Sequence, residues 1–249
     1  MVLVSGAGRL CNHVIRYICA SMLARKHGLS LSYGMQDKMN RLGIKTYSGD
    51  KIYNNCVKVT DDNFIDTLSK ESFTYTIDMD YSFFQTNEII QLVYNYLNEE
   101  THKFKVKDAN RFKERFGNNN DCFIHVRLTD TVAIIPNLEY FLDVLKGISF
   151  DNIYIGTDDK NHKLITELKL NFPNATVVDY DEVDTIHFGS TCKYVVLTHG
   201  SFSACIGYLA YDSIVYAPSW DYEKKNRANW HGNMMSIKGW TIVDSKNYF

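Results

Sequence analysis

Residues Asp121–Asp130 read DCFIHVRLTD. Cys122, Phe123, Ile124 and Val126 suit a buried strand, and a histidine, an arginine and an aspartate stand at its exit. Side chains alternate along a strand, so His125 and Arg127 share one face while Ile124 and Val126 share the other. A planar guanidinium beside an imidazole at a strand end is equipment for holding a phosphate or a carboxylate. The same residues also fit a plainer reading, in which Arg127 pairs with Asp130 for stability alone.

The strand is one of a series. Short β-rich runs at Cys122–Arg127, Asn152–Thr157, Ala175–Asp179, Tyr194–Thr198 and Ile214–Ala217 alternate with helical patterns near Leu138–Leu145, Lys160–Leu170, Asp184–Thr191 and Phe202–Tyr211. Strand-helix alternation of this kind implies a parallel sheet with crossovers. In the second of those helices Leu164, Ile165 and Leu168 form one apolar stripe, and Lys160, Lys163, Glu167 and Lys169 face away, so that helix lies on a sheet.

The N-terminal half opens in the same way, with a strand Val2–Ser5, a Gly6-Ala7-Gly8 turn and a helix from about Cys11 to His27 whose stripe is Val14, Ile15, Ile18, Met22 and Leu23. Thr60-Asp61-Asp62-Asn63 suits a helix cap, and helical patterns follow near Glu88–Leu97 and Ala109–Phe116. Gly117-Asn118-Asn119-Asn120 is the best linker candidate. The expectation is two α/β domains, 1–117 and 118–249, with ligands bound outside the carboxyl ends of the strands, where Arg127 lies.

Composition narrows the partners. The 249 residues carry 45% hydrophobic and 22% charged side chains with three prolines, which suits a folded globular protein. Lys plus Arg total 27 against 29 Asp plus Glu, so the chain offers no electrostatic footprint for nucleic acid, and any anion site is local. The six cysteines contain no CxxC pair and sit mostly in apolar runs, as reduced buried thiols do. No apolar segment approaches the roughly 20 residues that cross a bilayer, and the first residues enter a strand-like run without a basic leader, so a cytoplasmic location is expected.

Four further segments carry candidate chemistry. Thr198-His199-Gly200-Ser201-Phe202-Ser203 joins a strand to an apolar helix; Gly200 permits close backbone approach, Ser201 can cap, and the first helical N–H groups favour an anion. Simple capping is the plainer account. Tyr154-Ile155-Gly156-Thr157-Asp158-Asp159 runs a strand into two carboxylates, which either cap the next helix or bond a ribose or base. Gly8-Arg9-Leu10-Cys11-Asn12-His13 places Arg9, Asn12 and His13 at the first strand-helix turn. Asp78-Met79-Asp80 competes with these as a site for a divalent cation and, through it, a diphosphate.

With these segments in hand the chain resembles the fucosyltransferase superfamily of two-domain GT-B architecture, especially the α-1,2- and α-1,6-fucosyltransferases. Gly8-Arg9-Leu10-Cys11-Asn12-His13 is similar to that family's G-R-L-G-N-Q turn, and Tyr81-Ser82-Phe83-Phe84-Gln85 to its G-Y-F-Q segment, which argues that Asp78 and Asp80 are incidental. The strand at Cys122 with its His125-x-Arg127 exit resembles H-V-R-R-T-D, and Gly156-Thr157-Asp158-Asp159, Ser201-Phe202-Ser203 and Pro218-Ser219-Trp220 follow in the family's order. The resemblance implies an α/β GT-B-like fold, two Rossmann-type domains facing a central cleft, with the acceptor on the N-terminal side and the donor on the C-terminal side. It implies inverting transfer of L-fucose from GDP-fucose to a glycan hydroxyl, with no metal or other cofactor, and as partners a nucleotide-sugar donor and a glycan acceptor.

On that basis Arg127 takes the essential arginine role at the donor diphosphate. Asp130, Asp158, Ser201 and Ser203 fall at positions associated with the nucleotide, and Asn12 and His13 on a loop that helps close the reaction centre. Arg127, Asp130, His13 and Asn12 are therefore the catalytic candidates. Gly8, Arg9, His125, Asp158, Asp159, His199, Gly200, Ser201, Phe202 and Ser203 join Arg127 as donor-binding candidates. Leu128 replaces the family's second arginine, and Thr131 and Ile135 stand where the α-1,6 branch has the lysine and glutamate linked to acceptor deprotonation, which leaves His13 and Asp130 as candidate bases. A metal-dependent transferase using Asp78 and Asp80, and an inactive nucleotide- or glycan-binding protein, are the rival readings. Trp220, Trp230, Trp240, Tyr216 and Tyr222 either stack on an acceptor sugar or pack onto the domain surface.

Overall fold

The computed structural model describes residues 1–4, 8–79, 82–129, 135–219, 234–244 and 248. The chain divides into two compact units, the first running to Ala109 and the second beginning at Asn110.

The first unit contains, in order, β1 (Val2–Leu3), α1 (Leu10–His27), β2 (Leu31–Ser32), α2 (Gln36–Arg41), β3 (Cys56–Lys58), α3 (Phe64–Ser69), β4 (Thr76–Asp78), α4 (Asn87–Asn98) and α5 (Glu100–Ala109). Its four strands are all parallel and lie in the order β2-β1-β4-β3. The chain leaves β1 toward β2 and later returns on the other side, so the loops after β1 and β4 flank the point where the direction of winding reverses. α4 starts where the Thr86 hydroxyl accepts from the Ile89 N–H, and buries Ile89, Ile90, Val93 and Leu97 on one stripe.

α1 is buried beyond its expected stripe. Arg16 is fully enclosed and donates from Nη2 to the Met79 carbonyl, which ties α1 to the segment after β4. Ser21 Oγ accepts from the Tyr47 N–H and shares a hydrogen bond with the Tyr96 hydroxyl, and a ring nitrogen of His27 meets the Thr67 carbonyl. Burial of polar groups is tolerable where partners of this kind replace water.

The second unit begins with a 3-10 turn at Lys113–Arg115 and continues through β5 (Cys122–Val126), α6 (Leu138–Lys146), β6 (Ile153–Thr157), α7 (Lys163–Asn171), β7 (Thr176–Val177), α8 (Glu182–Gly189), β8 (Tyr194–Val196), α9 (Ser201–Tyr208), β9 (Ile214–Pro218) and β10 (Thr241–Val243). Six parallel strands lie in the order β10-β9-β8-β5-β6-β7. Read from the other edge, this is the 3-2-1-4-5-6 order of the doubly wound dinucleotide-binding sheet, whose reversal falls between β5 and β8. All five residues of β5 are buried, as they must be in a strand covered on both faces. Ile124 and Val126 join Tyr140, Phe141, Leu164, Ile165 and Leu168 in the core formed with α6 and α7. On the other face the Phe123 ring meets Phe188 of α8 at 6.2 Å, and His125 meets α9.

The α/β expectation is met in both units, while the segment between them differs from its expected form. The pattern at Ala109–Phe116 does not become an α-helix, and α5 precedes it. The expected 117/118 division lies inside the second unit because residues ahead of it are anchored there: Asn110 Nδ2 donates to the His187 carbonyl, and Arg115 binds Asp121 at 2.7 Å and the Thr191 hydroxyl at 3.2 Å. Nor is Gly117–Asn120 a loose linker. The Asn119 side chain donates to the carbonyls of Arg115 and Thr191 and accepts from the Asp121 and Lys193 N–H groups, which uses its full bonding capacity.

The six cysteines are free, five of them buried and Cys56 exposed. No helix among the described residues is long and apolar enough to cross a membrane.

Candidate active site at the sheet reversals

In the second unit three strand exits converge beside the reversal between β5 and β8. Arg127 follows β5 directly, Asp158 follows β6, and Thr198-His199-Gly200 leads from β8 into α9. The Arg127 N–H donates to Thr198 Oγ1 at 3.2 Å, which fixes the β5 exit against that of β8. On the other side Asp158 accepts from the Leu128 N–H at 2.8 Å and the Thr129 hydroxyl at 2.6 Å, and its Oδ2 lies 3.6 Å from Arg127 Nε. The Arg127 side chain is 14% exposed, which limits solvent screening of its charge. Burial raises the Asp158 pKa, but the Thr129 hydroxyl, the Leu128 N–H and Arg127 together outweigh it, so the carboxyl sits below its ordinary value.

α9 begins at Ser201 with Gly200, not Ser201, at its cap position, and no side chain among the described residues caps it. Gly200 has φ 115° and ψ 155°, a conformation essentially confined to glycine. An uncapped N-terminus leaves amide hydrogens and the positive end of the helix dipole for an anion. Ser201 and Phe202 are half-buried and Ser203 is buried.

His125 departs from the expected arrangement. Its ring is 4% exposed, lies 5.0 Å from Phe202 in a stacked arrangement, and shares a 2.6 Å hydrogen bond with Ser203 Oγ through Nδ1. Burial pushes its pKa down to about 3, so the imidazole is neutral at working pH and carries no charge for an anion. His125 and Ser203 therefore brace α9 against β5, and Arg127, beyond the end of the strand proper, keeps its charge at the exit. Leu128 turns its side chain into the core behind β5. His199 is buried.

Neither aspartate after β6 caps α7, because His162 occupies that position and accepts from the Leu164 N–H. Asp159 instead accepts from the Asn161 N–H and closes its own loop. Trp240 packs its ring 5.8 Å from Tyr208 of α9, and Tyr216 packs against the core. Asp130, Thr131, Trp220, Tyr222 and Trp230 lie outside the described residues, while Ile135 packs against the core.

The first unit has its own reversal, between β1 and β4. Gly8 has φ 95°, and a Cβ there would meet Asn12 Nδ2 at 2.6 Å, so this turn requires glycine. Exposed Arg9 takes the cap position of α1. Asn12 is half-buried and accepts from Gln85 Nε2 at 2.9 Å, which joins the first turn of α1 to the loop after β4. Gln85 is held in turn by its N–H on Asp61. His13 is buried, with Nε2 3.1 Å from the Gly8 carbonyl, and burial followed by the Arg16 charge lowers its pKa. Asp78 belongs to β4; Asp80 and Tyr81 lie outside the described residues. No cluster of three or more His, Cys, Asp or Glu side chains arranged to hold a metal occurs among the described residues. Gln85 is a component of this turn that residue-type reasoning about charge passes over, since its part depends on a contact between distant segments.

The fold and the site thus define a protein of two parallel α/β units, the second with the dinucleotide-binding strand order and an arginine at its reversal. No protein-family model and no curated protein matches the chain. Among solved structures it is similar to the α-1,6-fucosyltransferase NodZ co-crystallised with GDP, at 16% identity and a TM-score of 0.36 over 56% of this chain and 52% of that one. The same enzyme soaked with GDP-fucose aligns at 17% identity and a TM-score of 0.34, over 56% and 53% of the two chains. The E. coli heptosyltransferase WaaC with ADP-2-deoxy-2-fluoro heptose aligns at 10% identity and a TM-score of 0.43, over 77% and 66%. The alignment thus spans about half the length of the NodZ chain.

Proposed function

We propose that the protein is a glycosyltransferase that moves a sugar, L-fucose in the reading its motifs favour, from a GDP-sugar to a glycan hydroxyl by metal-independent inversion. The observation that carries this reading is Arg127, a little-exposed guanidinium braced at the β5 exit beside the start of α9, which no side chain among the described residues caps, at the reversal of a dinucleotide-binding sheet. As the glycosidic bond breaks, negative charge grows on the β-phosphate and the sugar becomes oxocarbenium-like. A guanidinium and helix N–H groups bind the leaving diphosphate more strongly as that charge develops, which lowers the barrier. In this reading the second unit takes the donor and the first the acceptor. The base that deprotonates the acceptor is Asp130 or His13.

Transfer from GDP-fucose to a glycan mixture is expected to persist in excess chelator. Product release measured with and without chelator checks this, and loss of turnover restored by a divalent cation would move the chemistry to Asp78 and Asp80. A second reading, an inactive donor-binding protein, draws on Leu128, whose side chain is buried where related motifs place a second cation. GDP binding without turnover across acceptors would favour it.

A further inference from the structure

Asp158 has a direct place at the nucleotide in the motif-based reading, and its geometry suggests a different task. Its Oδ1 accepts from the Leu128 N–H at 2.8 Å, and its Oδ2 accepts from the Thr129 hydroxyl at 2.6 Å and lies 3.6 Å from Arg127 Nε. One carboxylate at the end of β6 thus engages three successive residues beyond β5, two through bonds and one through charge. The partner strand fixes the carboxylate itself, because β6 pairs with β5 along its whole length, from Cys122 opposite Ile153 to Val126 opposite Thr157.

We propose that Asp158 is a positioning residue for Arg127: it sets the plane of the guanidinium and the course of the β5 exit, and does not itself hold the nucleotide. The purpose of that positioning rests on the donor reading above, but the positioning is a property of the protein alone. An arginine side chain has rotamer entropy to lose on binding, and a carboxylate that orders it beforehand removes part of that cost from the binding event. The arrangement also explains how a site with Leu128 in place of a second cation holds its remaining one: the Leu128 backbone N–H, not its side chain, takes part in the brace.

Two measurements on the full chain test the proposal. The first is the ¹⁵N–¹H resonance of Arg127 Nε, assigned by its disappearance in Arg127→Lys; it is expected to exchange slowly with solvent in the wild type and to move and exchange faster in Asp158→Asn. The second is a double-mutant cycle on GDP affinity: Asp158→Asn is expected to weaken GDP about tenfold when Arg127 is present and under about twofold in the Arg127→Ala background, the coupling of residues that act together. Thr129→Ala removes the hydroxyl on Asp158 Oδ2 at an exposed position and is expected to shift both readouts in the same direction by less, which keeps the test available if Asp158→Asn fails to fold. An Nε resonance unchanged by these substitutions overturns the proposal, as does an equal loss of GDP affinity in both backgrounds, which would place Asp158 on the nucleotide. If the wild type binds no GDP, the donor reading fails, and the Nε resonance still decides the positioning role.

Discussion

Arg127→Ala is expected to lower transfer from GDP-fucose by about 10²- to 10³-fold, the ordinary loss when one preorganised donor to a developing oxyanion is removed. Arg127→Lys is expected to recover little. The guanidinium is a planar fork with several fixed donors, and its Nε lies 3.6 Å from Asp158 Oδ2. A lysine ammonium is a point charge on a flexible stem and does not reproduce that geometry. Because the interaction strengthens as charge accumulates on the β-phosphate, the loss falls mainly on kcat, with a smaller effect on GDP affinity. Initial rates at saturating donor check this; a substitution that raises KM alone and leaves kcat intact would show that Arg127 binds ground and transition states equally.

The second large effect lies at the opposite end of the same strand. Arg115→Ala is expected to destabilise the second unit by about 3–5 kcal/mol, because it leaves the Asp121 carboxylate buried without its cation. Arg115 Nη2 lies 2.7 Å from Asp121 Oδ2, and the Asp121 side chain is only 6% exposed. Arg115 also donates to Thr191, and its guanidinium lies 4.6 Å above the Phe188 ring. Asp121 keeps one further partner, Asn152 Nδ2 at 2.8 Å, which does not neutralise its charge. Denaturant unfolding followed by circular dichroism measures the change. Adding Asp121→Asn to Arg115→Ala is expected to restore part of the loss, since the isolated charge disappears. A single-variant loss below about 1 kcal/mol would mean that water reaches the carboxylate and that the pair is effectively a surface one.

Much of the second unit is legible from residue pattern because its strands and helices alternate in length and period. Lys163–Asn171 keeps Leu164, Ile165 and Leu168 on the buried stripe expected of it, and β5, β6, β8 and β9 fall on the expected runs to within a few residues. The first unit is less legible for physical reasons. Its strands are two or three residues long, too short for alternation to show. α5 buries only Val106, so it has no apolar stripe, and the alternating Lys and apolar residues of His102–Lys107 resemble a strand as much as a helix. Asn119 illustrates the limit at a junction: its setting suggests a flexible link, whereas two of its four side-chain bonds reach Thr191 and Lys193, more than 70 residues away.

The candidate site divides in a similar way. The positions of Arg127, Gly200 and Gly8 at strand exits follow from local pattern. The side-chain roles of His125 and Asp158 do not, since alternation places His125 on the face shared with Arg127 but says nothing of Ser203 and Phe202 waiting there. Likewise two aspartates before a helix read as caps until His162 is seen to occupy the cap.

The most direct measurement of the central claim is a crystal structure of the protein with GDP. The account predicts the β-phosphate within hydrogen-bonding distance of the Arg127 guanidinium and of the first N–H groups of α9, with Asp158 still on Thr129 and Leu128. A diphosphate bound elsewhere, out of reach of Arg127, would contradict it.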